Sequence, residues 1–165
     1  MNVILTGMPG SGKSTVGVVL AKLLGLHFCD TDLVLQQHCG KKLQEIIRTE
    51  GDAAFFRHEE EVLAALDVQN TVIATGGSAV YSDRAMQHLK AGGKCVYLKV
   101  AADEIERRLA NFSDRGVVIA DGMTLADLYA ARKPLYEKYA DITVSADGGT
   151  VWDTARRIAE ALRVR

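Results

Sequence analysis

The chain has 165 residues, which suits a single domain, and its apolar fraction of 48% and charged fraction of 25% are ordinary for globular proteins. Its 20 Lys and Arg residues against 21 Asp and Glu residues leave a formal net charge of −1, which predicts no general affinity for nucleic acid or an anionic membrane. No apolar run approaches the roughly 20 residues of a membrane span.

Five short apolar runs predict the strands of a parallel sheet. They lie at residues 2–6, 27–30, 71–75, 95–100 and 142–145. The clearest of them are continuously apolar rather than alternating, which is typical of strands that are buried on both faces.

Helical periodicity fills the segments between these strands. It predicts helices at residues 13–24, 33–48, 52–66, 82–89, 102–110, 124–139 and 151–164, and an irregular segment at 111–123. Strands that alternate with helices in this way indicate a parallel sheet covered on both faces, so we expect a three-layer α/β/α sandwich in one domain.

The first strand leads into the strongest motif of the chain. Residues 7–14, GMPGSGKS, match the phosphate-loop pattern GxxxxGK[ST] and stand between a strand and a helix, as that pattern requires. Glycines allow the loop amides to surround phosphate, lysine reaches the β- and γ-phosphates, and the hydroxyl following it can bind Mg²⁺. The residues expected to bind ATP are Gly10, Ser11, Gly12, Lys13, Ser14 and Thr15.

Asp30 and Asp32 close the second strand. Such strand ends face the ligand crevice of open α/β sheets, so one carboxylate could support a metal through water and the other could bind a substrate hydroxyl. Alternatively, Asp32 only caps the helix predicted from Leu33.

Arginines and glycines further along the chain are candidates for binding the acceptor. Arg57 is either an ion-paired surface residue beside Glu60 and Glu61 or a fixed guanidinium that meets a substrate anion. Gly76 and Gly77 form either a tight turn or a place where a ligand approaches the backbone closely.

Two more arginines follow in the second half of the chain. Arg115 falls in the irregular segment 111–123, whose length and composition suggest a lid that closes over the transferring phosphoryl group. Arg132 precedes Pro134 in a predicted helix, where a solvated arginine is the ordinary alternative.

Taken in order, these pieces make the chain resemble the shikimate kinase family of P-loop proteins, which is similar in fold to nucleoside monophosphate kinases. The matching segments are GMPGSGKS, the DTD at 30–32, the FR at 56–57, the GG at 76–77 and RKPLY at 132–136. The resemblance covers nearly the whole chain and implies a five-stranded sheet in the order 2-3-1-4-5, with a substrate-binding helical segment at about 33–66.

The resemblance also implies a role for each matching residue. Lys13 and Ser14 would bind ATP and Mg²⁺, Asp30 would support the metal through water, and Asp32 would hold and help deprotonate the reacting hydroxyl. Arg57 and Arg132 would bind the substrate carboxylate, and Gly76 and Gly77 would contact the ring. Arg115, in the lid, would bind the phosphoryl group.

The chain departs from the family pattern at three places. Ser78 stands where a third glycine is usual, so a side chain enters the acceptor region. Gly116 stands where proline usually follows the lid arginine, and residues 146–150 lack an arginine that often packs on adenine.

Three functions follow as hypotheses. The first is ATP-dependent phosphorylation of shikimate in aromatic amino acid biosynthesis, and the second is the same reaction on another hydroxylated acid such as gluconate. Two arginines favour an acidic acceptor in both cases. The third is a non-catalytic nucleotide-binding module.

The setting of the protein can also be predicted. Cys29, Cys39 and Cys95 are scattered and form no CxxC pair, and strand-like residues begin at Asn2, so we expect a cytosolic protein without a signal peptide. A monomer is the default for so small a kinase.

Overall fold

The computed structural model of the chain describes residues 1–110 and 122–163. Its central sheet contains the strands β1 Asn2–Thr6, β2 His27–Asp30, β3 Thr71–Ala74, β4 Gly93–Lys99 and β5 Ile142–Ser145. All neighbouring strands are parallel, and their order is β2-β3-β1-β4-β5. The predicted parallel α/β architecture and strand order are confirmed.

The first strand lies at the centre of the sheet. Val3 is paired with Val72 on one side and with Lys94 on the other, and all five residues of β1 are buried. A strand that is covered on both faces has no need for polar alternation, which explains its continuous apolar sequence.

Helices cover the sheet and build a smaller layer beside it. They are α1 Lys13–Leu24, α2 Thr31–Cys39, α3 Leu43–Glu50, α4 Asp52–Ala64, α5 Asp83–Ala91, α6 Ala102–Ala110, α7 Leu125–Tyr139 and α8 Val151–Arg163. A short 3₁₀ turn, Ala79–Tyr81, follows β3. Within the described ranges, no helix has the length and apolar character that crossing a bilayer requires.

The prediction of one helix at residues 33–48 was wrong, because this segment forms two helices, α2 and α3. Gly40 takes a left-handed conformation (φ 65°) and its N–H donates to the carbonyl of Gln36, which ends α2. A glycine in this conformation is a common helix terminator. The break lets α2, α3 and α4 fold onto a small apolar cluster of their own, made by Leu35, Ile46, Phe55 and Val62.

Side-chain caps fix the starts of two later helices. The hydroxyl of Ser82 accepts a hydrogen bond from the Ala85 N–H and so caps the start of α5. Thr124 and Asp127 form a reciprocal capping box at the start of α7. This cap begins α7, the helix that carries Arg132.

Candidate active site

The phosphate loop connects β1 to the N-terminus of α1. Lys13 is buried, and its Nζ donates to the carbonyls of Gly7 at 2.8 Å and Met8 at 2.9 Å. Gly7 has φ of 149°, and a Cβ there would lie 2.7 Å from the Leu98 carbonyl oxygen, so only glycine fits. The amides of the first helical turn and the Lys13 ammonium together form a site for an anion.

A cavity of about 320 Å³ adjoins this loop. Its volume is in the range of small-molecule sites. It is lined by Pro9, Gly12, Lys13, Ser14, Thr15, Asp32, Gln36, Lys42, Leu43, Gln44, Phe55, Glu59, Thr75, Gly76, Gly77, Ser78 and Arg132. Much of the predicted phosphate site and most of the predicted acceptor site thus share one cavity.

Asp30 and Asp32 have different surroundings. The carboxylate of Asp30 accepts a hydrogen bond from the Asp32 N–H at 3.0 Å and so caps α2. The structure therefore contradicts the alternative that Asp32 is the cap. Asp32 lies in the first turn and lines the cavity, whereas Asp30 borders a separate groove beside Phe28.

Gly76 and Gly77 bring the backbone after β3 into close contact with charged side chains. A Cβ at Gly76 would overlap the Glu59 carboxylate and lie 2.9 Å from Oδ1 of Asp32. A Cβ at Gly77 would lie 3.0 Å from Nη1 of Arg132. Any other residue at either position would displace these groups, so both positions require glycine.

Arg132 is a fixed guanidinium in the wall of the cavity. It is only 2% exposed, its Nε donates to the Tyr81 hydroxyl at 3.1 Å, and its guanidinium lies 5.1 Å from the centre of the Tyr81 ring. A buried arginine needs compensating partners, and the aromatic face and the hydroxyl provide part of this compensation. Its remaining donors can bind an anion in the cavity.

Arg57 is not among the residues that line this cavity. It is exposed and borders a neighbouring groove with Phe56 and Tyr81. The reason is the phase of α4: Phe55 and Glu59 line the cavity one turn apart, and Arg57 lies on the other side of the helix.

Glu59 is a residue of the site that sequence reasoning missed. It is 5% exposed and accepts a hydrogen bond from the Ser78 hydroxyl at 2.5 Å. Its position in α4 between the buried residues Phe55 and Val62 was the available signal, because a glutamate at i+4 and i−3 from core residues has to be buried as well. The Ser78 side chain therefore enters the acceptor region and also serves as the hydrogen-bond donor to Glu59.

Burial raises the pKa of Glu59 from 4.5 to about 7. The hydrogen bond from Ser78 opposes this shift, the nearby Asp32 carboxylate adds to it, and Arg132 and Lys13 also oppose it. At neutral pH the carboxyl of Glu59 therefore exists in both protonation states.

The raised pKa predicts how the stability of the wild-type protein changes relative to Glu59→Gln. The folded protein holds the Glu59 proton more tightly than the unfolded chain does. This contribution to stability is therefore complete below about pH 4.5 and is lost as the pH rises to about 7. We expect urea denaturation at several pH values to show the wild type losing free energy of unfolding relative to the variant over this interval. A relative gain would mean that Arg132 dominates and lowers the pKa.

Arg108 is a second residue that was missed, next to the phosphate loop. Its guanidinium donates to the Gly10 carbonyl at 3.3 Å and to the Ala146 carbonyl at 3.2 Å. It thereby connects α6, the phosphate loop and the segment after β5. Arg115 lies outside the described residues.

Comparison with known proteins identifies the family. The shikimate kinase family model matches residues 9–163. A shikimate kinase of Chlorobium chlorochromatii is 38% identical, over 98% of this chain and 92% of the relative. One of Francisella tularensis subsp. novicida is 36% identical, over 98% and 94%.

A solved structure gives the same answer. The shikimate kinase of Acinetobacter baumannii in complex with shikimate superposes with a TM-score of 0.89 at 31% identity, covering 99% of this chain and 93% of that one. The chain belongs to the shikimate kinase family.

Proposed function

We propose that this protein transfers the γ-phosphoryl group of ATP to a hydroxyl of shikimate, giving shikimate 3-phosphate and ADP. The observation that carries the proposal is the single cavity that joins the phosphate loop to Asp32 and Arg132. Membership of the shikimate kinase family supports the same reaction. The solved structure of the A. baumannii member contains shikimate.

The geometry suits an in-line transfer. The substrate hydroxyl oxygen forms a bond to the γ-phosphorus while the bond from that phosphorus to the β,γ-bridging oxygen of ATP breaks. Asp32 holds the hydroxyl and takes its proton, and the Lys13 ammonium neutralises charge on the phosphoryl oxygens. Arg115, in the lid predicted at 111–123, would add a second cation.

Mg²⁺ is proposed as the metal that accompanies ATP. The Ser14 hydroxyl is exposed in the first turn of α1 and borders the cavity, so it offers a hard oxygen ligand beside the phosphates. Asp30, at the end of β2, uses its Oδ1 to cap α2, and its other carboxylate oxygen would reach the metal's water shell. When bound there, Mg²⁺ would supply positive charge that offsets the charge of the nucleotide's phosphates.

The carboxylate of the acceptor needs a second cation besides Arg132, since Glu59 already offsets part of that charge. Lys42 can supply it. Among the described residues that line the cavity, the basic ones are Lys13, Lys42 and Arg132. Lys42 is the N-cap residue of α3, where the break after α2 brings it to the rim of the cavity.

We therefore expect Lys42→Ala to raise the KM for shikimate roughly tenfold, the loss of a charge-assisted contact of about 1.4 kcal/mol. The KM for ATP should stay unchanged, because Lys42 lies on the acceptor side. Arg57→Ala is the matched control and should leave both constants near wild type. Steady-state kinetics with each substrate varied check this prediction. A larger rise in the KM for shikimate in Arg57→Ala than in Lys42→Ala would show that Arg57 binds the carboxylate.

The first experiment for the proposed function is ADP release from Mg-ATP with a panel of acceptors. Stimulation by shikimate, and not by gluconate or nucleoside monophosphates, supports the proposal. Turnover with gluconate alone would move the acceptor to another hydroxylated acid. ATP binding without turnover on any acceptor would favour the non-catalytic module.

Further parts of the proposal concern the setting of the enzyme. The proposed substrate-binding segment at about 33–66 contributes Gln36, Lys42 and Glu59 to the cavity, and the enzyme is proposed as a monomer with a single kinase domain. Cys29, Cys39 and Cys95 are free thiols, which supports a reducing compartment such as the cytosol.

A further inference from the structure

A second group of chemically capable side chains lies on α2 and α4, apart from the residues that line the cavity. It consists of His38 at the end of α2 and of His58 and Glu61 on α4. Each offers a ligand atom, two imidazole nitrogens and a carboxylate oxygen, and these atoms lie within 4.8 Å of one another. The two imidazole rings meet edge to face with centroids 6.3 Å apart.

The orientation of His58 is set by a neighbouring carboxylate. Nε2 of His58 lies 2.9 Å from Oε2 of Glu50, whose other oxygen accepts a hydrogen bond from Lys41 at 2.8 Å. Because a carboxylate only accepts, Nε2 carries the proton and a neutral ring presents its lone pair at Nδ1. Histidine ligands of metals are held by carboxylates in this way.

Nδ1 of His58 is buried and has no hydrogen-bond partner among the described residues. The nearest anionic group is Oε2 of Glu61, at 3.9 Å, which is beyond hydrogen-bond distance. A buried nitrogen lone pair next to a carboxylate is an unfavourable pair unless a cation or a proton lies between them.

We propose that His38, His58 and Glu61 form a binding site for a borderline transition-metal ion of the Zn²⁺ class. Two imidazoles and a carboxylate are a common ligand set for Zn²⁺. Tetrahedral bonds of about 2.0–2.2 Å would bring the ligand atoms to about 3.3–3.6 Å from one another. His38 and Glu61 are exposed, so rotation of their side chains can close the remaining distance.

The ion would connect α2 to α4. The same two helices carry Asp32 and Glu59 into the acceptor cavity, so the bound metal braces the wall of that cavity from outside. The site differs from the Mg²⁺ site proposed for catalysis, because its nitrogen ligands disfavour a hard cation.

Calorimetric titration of the nucleotide-free chain with ZnCl₂, in buffer containing Mg²⁺, tests the proposal. We expect one equivalent of Zn²⁺ to bind and the melting temperature to rise. His38→Ala, His58→Ala and Glu61→Gln should each weaken binding more than tenfold, and Glu50→Gln roughly tenfold, as loss of a supporting carboxylate does. Co²⁺ bound to the wild type should give visible absorption bands that these variants lack.

His27→Ala and Cys39→Ser are the controls, since each removes another potential Zn²⁺ ligand while leaving the three proposed ligands. Equal affinity in the wild type and His38→Ala, or a loss confined to Cys39→Ser, would overturn the proposal. Absence of Zn²⁺ binding would overturn it too. If His58→Ala fails to fold, the exposed positions 38 and 61 still decide, and neither result depends on the kinase activity.

Discussion

Replacing Lys13 by methionine is expected to lower the turnover of Mg-ATP by a factor of at least about 10²–10³ and to leave the fold intact. Lys13 is the buried cation of the phosphate loop, and its ammonium lies within 2.9 Å of the loop carbonyls. Methionine keeps the unbranched shape and removes the charge that neutralises the transferring phosphoryl group. Because that charge develops most strongly in the transition state, kcat should fall more than ATP affinity.

Lys22→Met is the matched control for this experiment. Lys22 lies on the same helix, α1, but in its last turn and exposed to solvent. We expect the kinetic constants and the circular dichroism spectrum of the Lys22→Met protein to equal those of the wild type. A Lys13→Met protein that is folded by the same criterion and retains its turnover would show that the phosphate loop does not carry the reaction.

The sequence predicted the sheet well because its signals are local. β1 is a continuous apolar run, and the glycines and lysine that follow it have to stand in sequence to surround one phosphate. The parallel strands end at the same edge of the sheet, so the first turn of α2, with Asp32, lies at the edge that carries the phosphate loop.

The helical layer was harder to predict, because it depends on phase and on partners distant in sequence. The FR pair at 56–57 matched a motif by letters, but Phe55 packs in the small core and thereby turns Arg57 outwards. The same rotation buries Glu59, whose partner Ser78 is 19 residues away along the chain. Because α2 ends at Gly40, Lys42 lies at the cavity. The prediction of one helix over 33–48 gave no indication of this position.

Replacing Asp32 by asparagine is expected to lower kcat by a factor of about 10²–10⁴, the usual contribution of a positioned proton acceptor. The KM for ATP should change little, since Asp32 lies on the acceptor side of the cavity. Asp52→Asn is the control, because Asp52 lies in the first turn of α4 and does not border the cavity. Steady-state kinetics with shikimate and Mg-ATP check both variants.

Stability should move differently from activity in Asp32→Asn. The Asp32 carboxylate contributes to the raised pKa of Glu59, after burial as the main cause, because the two negative charges repel each other. A neutral amide removes this repulsion, so we expect the free energy of unfolding at pH 8 to be no lower than that of the wild type. An inactive and clearly destabilised variant would instead indicate a structural role for Asp32.

A comparison of Asp32→Asn with Asp32→Ala separates positioning from proton transfer. The asparagine oxygen still accepts a hydrogen bond from the substrate hydroxyl, but the amide cannot take its proton at neutral pH. If Asp32 acts as the base, both variants should lose kcat to the same extent. If it only positions the hydroxyl, asparagine should retain most of kcat and alanine should not. The second outcome would fit a loose transition state, in which bond formation to the oxygen lags and its proton leaves late.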